Sequence, residues 1–210
     1  MWRDEIVEKS WQILGELKGL AEFVLIGGWG VYMWTRKLKS RDIDIYIDQE
    51  NFYKLQSELL QKNYALKRNV RLKKFEAIIG DVEVDIYTPF MSNLAVPCLD
   101  VFNKKLYSLI ERFNVVIPEV LLLLKAQAAQ QRWHAEKGVK DRVDIISLLK
   151  FAGIKRDLLE QILSTYDKQH TLRDTIKRTI LESRIEYKFL GLTYEKDGVQ
   201  LKKISLEFMG

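Results

Sequence analysis

The sequence predicts an α+β fold, in which strands and helices mix over the first half, helices fill the second and a β-hairpin closes the chain. Three observations carry this expectation. Short β-rich runs alternate with helical stretches over residues 1 to about 100. Apolar spacing is almost continuously helical from about 103 to 186, and two alternating runs flank Asp197-Gly198 near the end. No internal repeat, low-complexity tract or long Gly/Ser linker separates these regions. The expected division is residues 1–100, carrying the chemistry, and residues 101–210, helical with the closing hairpin and packed on the first.

In order, a helix over about Asp4 to Lys18 puts Ile6, Ile13, Leu14 and Leu17 on one face. Phe23 to Ile26 is a buried strand that ends at the glycine pair Gly27-Gly28, and a helix over about Trp29 to Arg36 follows. From Asp42 to Asp48, acidic residues and Tyr46 alternate with Ile43, Ile45 and Ile47, the period of a strand with one polar face. A helix over about Asn51 to Gln61 and a basic segment lead to a hairpin, Lys74 to Ile79 and Val82 to Thr88, turned at Gly80-Asp81. In the second half Pro118 suits the first turn of a helix to Gln131. Further helices are expected over about Lys140 to Phe151, Arg156 to Tyr166 and Thr171 to Ser183. The final hairpin would pair Lys188 to Tyr194 with Val199 to Phe208.

Composition bounds the class. With 34 Lys+Arg against 29 Asp+Glu the chain carries +5, which permits a polyanionic partner without requiring one. A single cysteine, Cys98, cannot form an internal disulfide, and a buried structural thiol is its expected role. Val115 to Leu124 is the longest apolar stretch, yet Pro118 and Glu119 interrupt it, so no membrane span is expected. The charged N-terminus lacks a signal-peptide apolar core, and the cytoplasm is the expected location.

The chemistry concentrates in Asp42-Ile43-Asp44. On a strand, Asp42 and Asp44 project from one face about 7 Å apart. Adjacent carboxylates repel unless a cation or solvent neutralises them. Mg²⁺, or Mn²⁺ in its place, suits oxygen donors plus substrate phosphates. Asp85 in Val84-Asp85-Ile86 supplies a third carboxylate from the hairpin, with Glu83 on its face. The competing reading is a wet strand face. Gly27-Gly28 weighs against it, because backbone N–H groups at a helix N-terminus can hold phosphate oxygens.

Leu25-Ile26-Gly27-Gly28, thirteen residues, then Asp42-Ile43-Asp44-Ile45, with Val84-Asp85-Ile86 later, resembles the signature of the DNA polymerase β-type nucleotidyltransferase superfamily. The resemblance implies a nucleotidyltransferase-type mixed β-sheet. It also implies that Asp42 and Asp44 hold the metal ions that bind a nucleoside triphosphate such as ATP. Asp85 would complete the site and activate the attacking hydroxyl, while Gly27 and Gly28 would contact phosphates. Trp29 stands where many members carry a small residue or serine, so Ser40, beside Arg41, is the candidate replacement contact. Further on, Lys125 after Pro118-Glu119-Val120 and the segment Lys140-Asp141-Arg142-Val143-Asp144 resemble AbiEii-type (toxin–antitoxin) nucleotidyltransferase-like proteins. That resemblance implies that Lys125 is a point charge for the triphosphate, oriented by Asp141 or Asp144. The resemblance does not identify the acceptor: RNA is the expected one, a tRNA end suiting a toxin-like member, with a protein or small molecule as alternatives. A cognate antitoxin protein is the partner such a member would have. Solvated helix pairs are the competing reading of these residues.

Two basic runs complete the pattern. Arg36, Lys37, Lys39 and Arg41 precede Asp42, where cations would neutralise a triphosphate. Lys62, Lys67, Arg68, Arg71, Lys73 and Lys74 fall in thirteen residues that contain no acid; they either protect an edge strand or guide an RNA backbone. The tryptophans read as core, with Trp29 the one candidate to stack a base. The leading function is metal-dependent transfer of a nucleotide from an NTP to a hydroxyl. Its alternatives are a non-catalytic nucleotide- or nucleic-acid-binding module and a metal-dependent phosphodiesterase.

Overall fold

The computed structural model describes residues 4–203, which form two compact units: 4–33 with 39–117, and 34–38 with 118–203. The first is an α+β unit. Its chain order is α1 (Asp4–Leu20), β1 (Val24–Leu25), the start of α2 (Gly27–Thr35), β2 (Ile43–Tyr46), α3 (Gln49–Gln61), β3 (Leu66–Asn69), β4 (Lys74–Ile79), β5 (Val82–Tyr87), α4 (Cys98–Asn103), β6 (Tyr107–Ile110) and β7 (Phe113–Val116). The strands form one mixed sheet in the order β3-β4-β5-β2-β1-β7-β6. Strand β2 runs parallel to β5 and β1 parallel to β7, while the other neighbours are antiparallel.

One sheet face is apolar, because the alternation seen in the sequence aligns across strands. Ile43 faces Val84 and Ile45 faces Ile86 in register, and all four are fully buried. Leu14 and Leu17 of α1 and Leu55 and Leu59 of α3 are buried on the same scale. Ile13, Leu17, Leu59 and Ile79 line a common cavity, which places both helices on this face. Asp48 caps α3 rather than extending the polar strand face: its carboxylate accepts the Asn51 backbone N–H at 2.9 Å. The opposite face carries the acidic residues.

The hairpin of β6 and β7 corrects the expectation of helix from residue 103 onward. Its turn uses Glu111 at φ 55° in place of a glycine, so it lacks the usual signal. Phe113, Val115 and Val116 are fully buried, and pairing of β7 with β1 decides the local structure.

The second unit is helical: α5 (Pro118–Gln131), α6 (Glu136–Phe151), α7 (Arg156–Tyr166), α8 (Thr171–Glu182) and α9 (Ile185–Phe189). Val120 to Leu123 are all fully buried, so α5 is enclosed on every side by its neighbours. Glu119 is buried with that core, and its carboxylate is satisfied by the Lys155 backbone N–H, which donates to it at 2.7 Å at the start of α7.

The expected C-terminal β-hairpin is not formed. Lys188 continues α9, Tyr194–Gly198 is a π-helical turn and residues 199–203 are helical. Residues 204–208 of the expected second strand lie outside the described residues. The Asp197-Gly198 signal fails for a local reason. A two-residue hairpin turn needs positive φ at these positions, and neither residue adopts it. Instead the Asp197 carboxylate accepts the Thr193 backbone N–H at 3.0 Å and pairs with Lys150 at 3.0 Å, which closes a helical turn. Among the described residues, no helix is long and apolar enough to cross a membrane.

Candidate active site

Three carboxylates lie in one row across adjacent strands. Asp44 of β2 faces Asp85 of β5 in register, and Asp85 faces Glu76 of β4. Residues directly opposite in a sheet share a face, so the row extends to Lys67 of β3, the partner of Glu76. Glu83 and Lys74 stand two residues from Asp85 and Glu76 and therefore share that face. Asp42 lies in the bend just before β2, where Arg41 Nε donates to its carboxylate at 3.0 Å. Ser40 precedes it in the same partly exposed loop.

Gly27 brings the glycine turn onto this row. The Ile26 N–H donates to the Asp44 carbonyl at 3.0 Å, which fixes the end of β1 beside β2. Gly27 then takes φ +61° and opens α2, so the N-terminus of that helix, with Gly28 in its first turn, starts against Asp44. A Cβ at position 27 would lie 2.0 Å from Asp44 Oδ2 and 2.7 Å from Asp44 Cβ. Both the backbone angle and the carboxylate exclude a side chain. Gly27→Ala is therefore expected to cost about 1–3 kcal/mol of stability and to displace Asp44; calorimetric unfolding and metal titration of the variant measure the two effects.

The electrostatics single out Asp85. Burial pushes its carboxyl up to about 7 and the Asp44 charge adds to this, while the Lys74 ammonium acts in the opposite sense. Lys74 Nζ lies 2.5 Å from Asp85 Oδ2 and 3.0 Å from Glu76 Oε1. The other oxygen, Asp85 Oδ1, is buried without a hydrogen-bond partner. An orphaned buried carboxylate oxygen beside a second carboxylate fits a cation, and the all-oxygen donor set suits Mg²⁺ or Mn²⁺. Among the described residues, the acidic trio whose oxygens all lie within 4.8 Å of one another is Glu76, Glu83 and Asp85. Asp42 and Asp44 are not part of it.

Lys74 and Glu76 are what sequence reasoning missed. Grouped by sequence with the exposed basic run, Lys74 is only 7% exposed. The available signal was alternation: Lys74, Glu76 and Asp85 belong to one face of the hairpin. Trp29 is corrected too. It is fully buried, with Nε1 donating to Ser10 Oγ at 2.8 Å, so it lines no nucleotide pocket.

In the helical unit, Lys125, Asp141 and Asp144 meet as a buried ion cluster. Lys125 Nζ is 3.3 Å from Asp141 Oδ1 and 2.8 Å from Asp144 Oδ2. Arg132 makes two bonds to Asp141, at 2.6 and 3.1 Å, and Lys140 pairs with Asp144 one turn away. Both aspartates are 1% exposed. Burial would raise the Asp144 carboxyl, but Lys125 and Lys140 outweigh it and hold it below the usual carboxylate range.

The chain has a nucleotidyltransferase fold, on the strength of the solved structures it superposes on. ANT(2″)-Ia in complex with adenylyl-2″-tobramycin matches at a TM-score of 0.55 with 12% identity, covering 76% of this chain and 97% of that one. JHP933 from Helicobacter pylori matches at 0.53 with 14% identity, over 96% and 91% of the two chains. The Megavirus polyadenylate synthase matches at 0.50 with 16% identity, over 71% of this chain and 32% of that enzyme. No protein-family model matches the sequence, and no curated protein matches it.

Proposed function

We propose that this protein transfers a nucleotide from an NTP to a hydroxyl acceptor, with Mg²⁺ or Mn²⁺ held by Asp42, Asp44 and Asp85. The observation that carries this is the register of Asp44 against Asp85 with the Gly27 turn seated on Asp44. A purely binding module gains nothing from crowding carboxylates beside a phosphate-binding helix N-terminus, because they repel an anionic ligand unless a cation intervenes. The divalent ion, when bound, would polarise the reacting phosphate and offset charge on the leaving pyrophosphate. The chain supplies the rest. Gly27 and Gly28 present backbone N–H groups to phosphate oxygens, and Arg41 and Ser40 add polar contacts beside Asp42. Asp85, in register with Asp44, completes the carboxylate set and would activate the attacking hydroxyl.

The acceptor we propose is RNA; a tRNA end would suit a toxin-like member. Its support is the exposed strip Lys67, Arg68, Arg71 and Lys73 along β3 and its turn, on the sheet edge next to the acidic row. The likeness of Lys125 and the Asp141–Asp144 segment to AbiEii-type proteins supports a toxin role with a cognate antitoxin as partner. Incubation with each α-labelled NTP, Mg²⁺ and total RNA tests the reading. Label should enter RNA, fall as salt rises and vanish with chelator. If label enters a protein or small molecule instead, the RNA assignment fails; if no acceptor is labelled, the transferase reading fails.

A further inference from the structure

Lys74 is a cation in a place built for one. It is 7% exposed, and its ammonium lies between Asp85, at 2.5 Å, and Glu76, at 3.0 Å. These two carboxylates and Glu83 form the trio whose oxygens approach within 4.8 Å, the spacing of donors around one ion. Asn69 Nδ2 donates to Glu76 Oε1 at 2.9 Å and fixes it for the ion pair. The two oxygens of Asp85 are thereby made unequal: Oδ2 takes Lys74, and Oδ1 is buried with no hydrogen bond. On the far side of Asp85 the next residue in register is Asp44.

We propose that Lys74 is a resident cation of the acidic row, which keeps a divalent ion out of the Glu76/Glu83/Asp85 trio and holds Asp85 by Oδ2, leaving Oδ1 for an ion shared with Asp44. The physical basis is competition. An ammonium tethered to the same sheet acts at high effective concentration, and Mg²⁺ gives up its water reluctantly. Lys74 touches no reacting atom, so it is a positioning residue. Its effect on transfer rests on the proposed function; its effect on metal binding does not.

The test is Mn²⁺ titration of metal-free protein without nucleotide, by calorimetry and electron paramagnetic resonance. Lys74→Met should gain a Mn²⁺ site that the wild type lacks, and the Lys74→Met/Glu76→Gln double variant should bind that ion about tenfold more weakly. In the wild-type background Glu83→Gln should leave Mn²⁺ binding unchanged, whereas Asp44→Asn should weaken it. This pair of variants decides the matter even if Lys74→Met does not fold. Lys74→Met that binds Mn²⁺ with wild-type number and affinity overturns the proposal, as does a wild type that loses Mn²⁺ on Glu83→Gln. In turnover, Lys74→Met should lower kcat for pyrophosphate release with KM for the NTP unchanged. A wild type inert with every NTP would sink the transferase reading while the Mn²⁺ contrast still judged Lys74.

Discussion

Asp44→Asn should lower kcat/KM for pyrophosphate release by about 10³-fold or more, the scale at which charge stabilisation of a transition state is lost. Asparagine keeps the shape that Gly27 packs against, where a Cβ would meet Asp44 Oδ2 at 2.0 Å, so the turn between β1 and α2 is not rebuilt. What disappears is the negative charge opposite Asp85. Two consequences separate this from simple unfolding. The thermal transition should stay near that of the wild type, because removing a carboxylate relieves repulsion in the row. Mn²⁺ affinity should fall in parallel with activity. A variant that releases pyrophosphate at the wild-type rate would remove Asp44 from the reaction.

Asp144→Ala should destabilise the helical unit by about 3–5 kcal/mol, the usual cost of stranding a buried charge. Asp144 is 1% exposed and answers Lys125 at 2.8 Å and Lys140 one turn earlier. Its loss leaves two ammonium groups facing a pocket with one fewer anion. The same cluster sets an acid dependence. Because the folded carboxyl sits below its ordinary value, its contribution is present above the unfolded pKa, near 4, and drains away as pH falls through the folded pKa. Urea midpoints from pH 7 down to 3 should therefore drop more steeply for the wild type than for Asp144→Ala. Equal slopes and equal midpoints would show that the cluster contributes nothing to stability.

Local alternation made much of the sheet legible. Ile43 to Ile47 and the β4–β5 hairpin with its Gly80-Asp81 turn are visible from period and turn chemistry alone, and so is Gly27 as a strand-to-helix turn. The pairing of β2 with β5 is not, because register between distant segments leaves no mark on a single sequence; yet it alone sets Asp44 against Asp85. Strands β3, β6 and β7 were hidden for a related reason. Leu66-Lys67-Arg68-Asn69 has poor strand propensity and is held by β4, while Glu111 turns without glycine. Helix α5 was easy in kind, but that Lys125 lies within an ion cluster required knowing that α5 is enclosed. At the tail, a good hairpin dipeptide lost to the Asp197 contacts with Thr193 and Lys150.

Cys98 begins α4 with its thiol directed at the carbonyls of Ile47 and Tyr87, each at 3.6 Å, and burial pushes it up to about 12. A sulfur so protonated and enclosed is inert towards maleimides and mild oxidants. The chain thus carries its own silent background for thiol chemistry. A cysteine introduced on the exposed β3–β4 turn would take a spin label or fluorophore at that position alone. Distances to a bound paramagnetic ion could then be measured without first deleting a native residue.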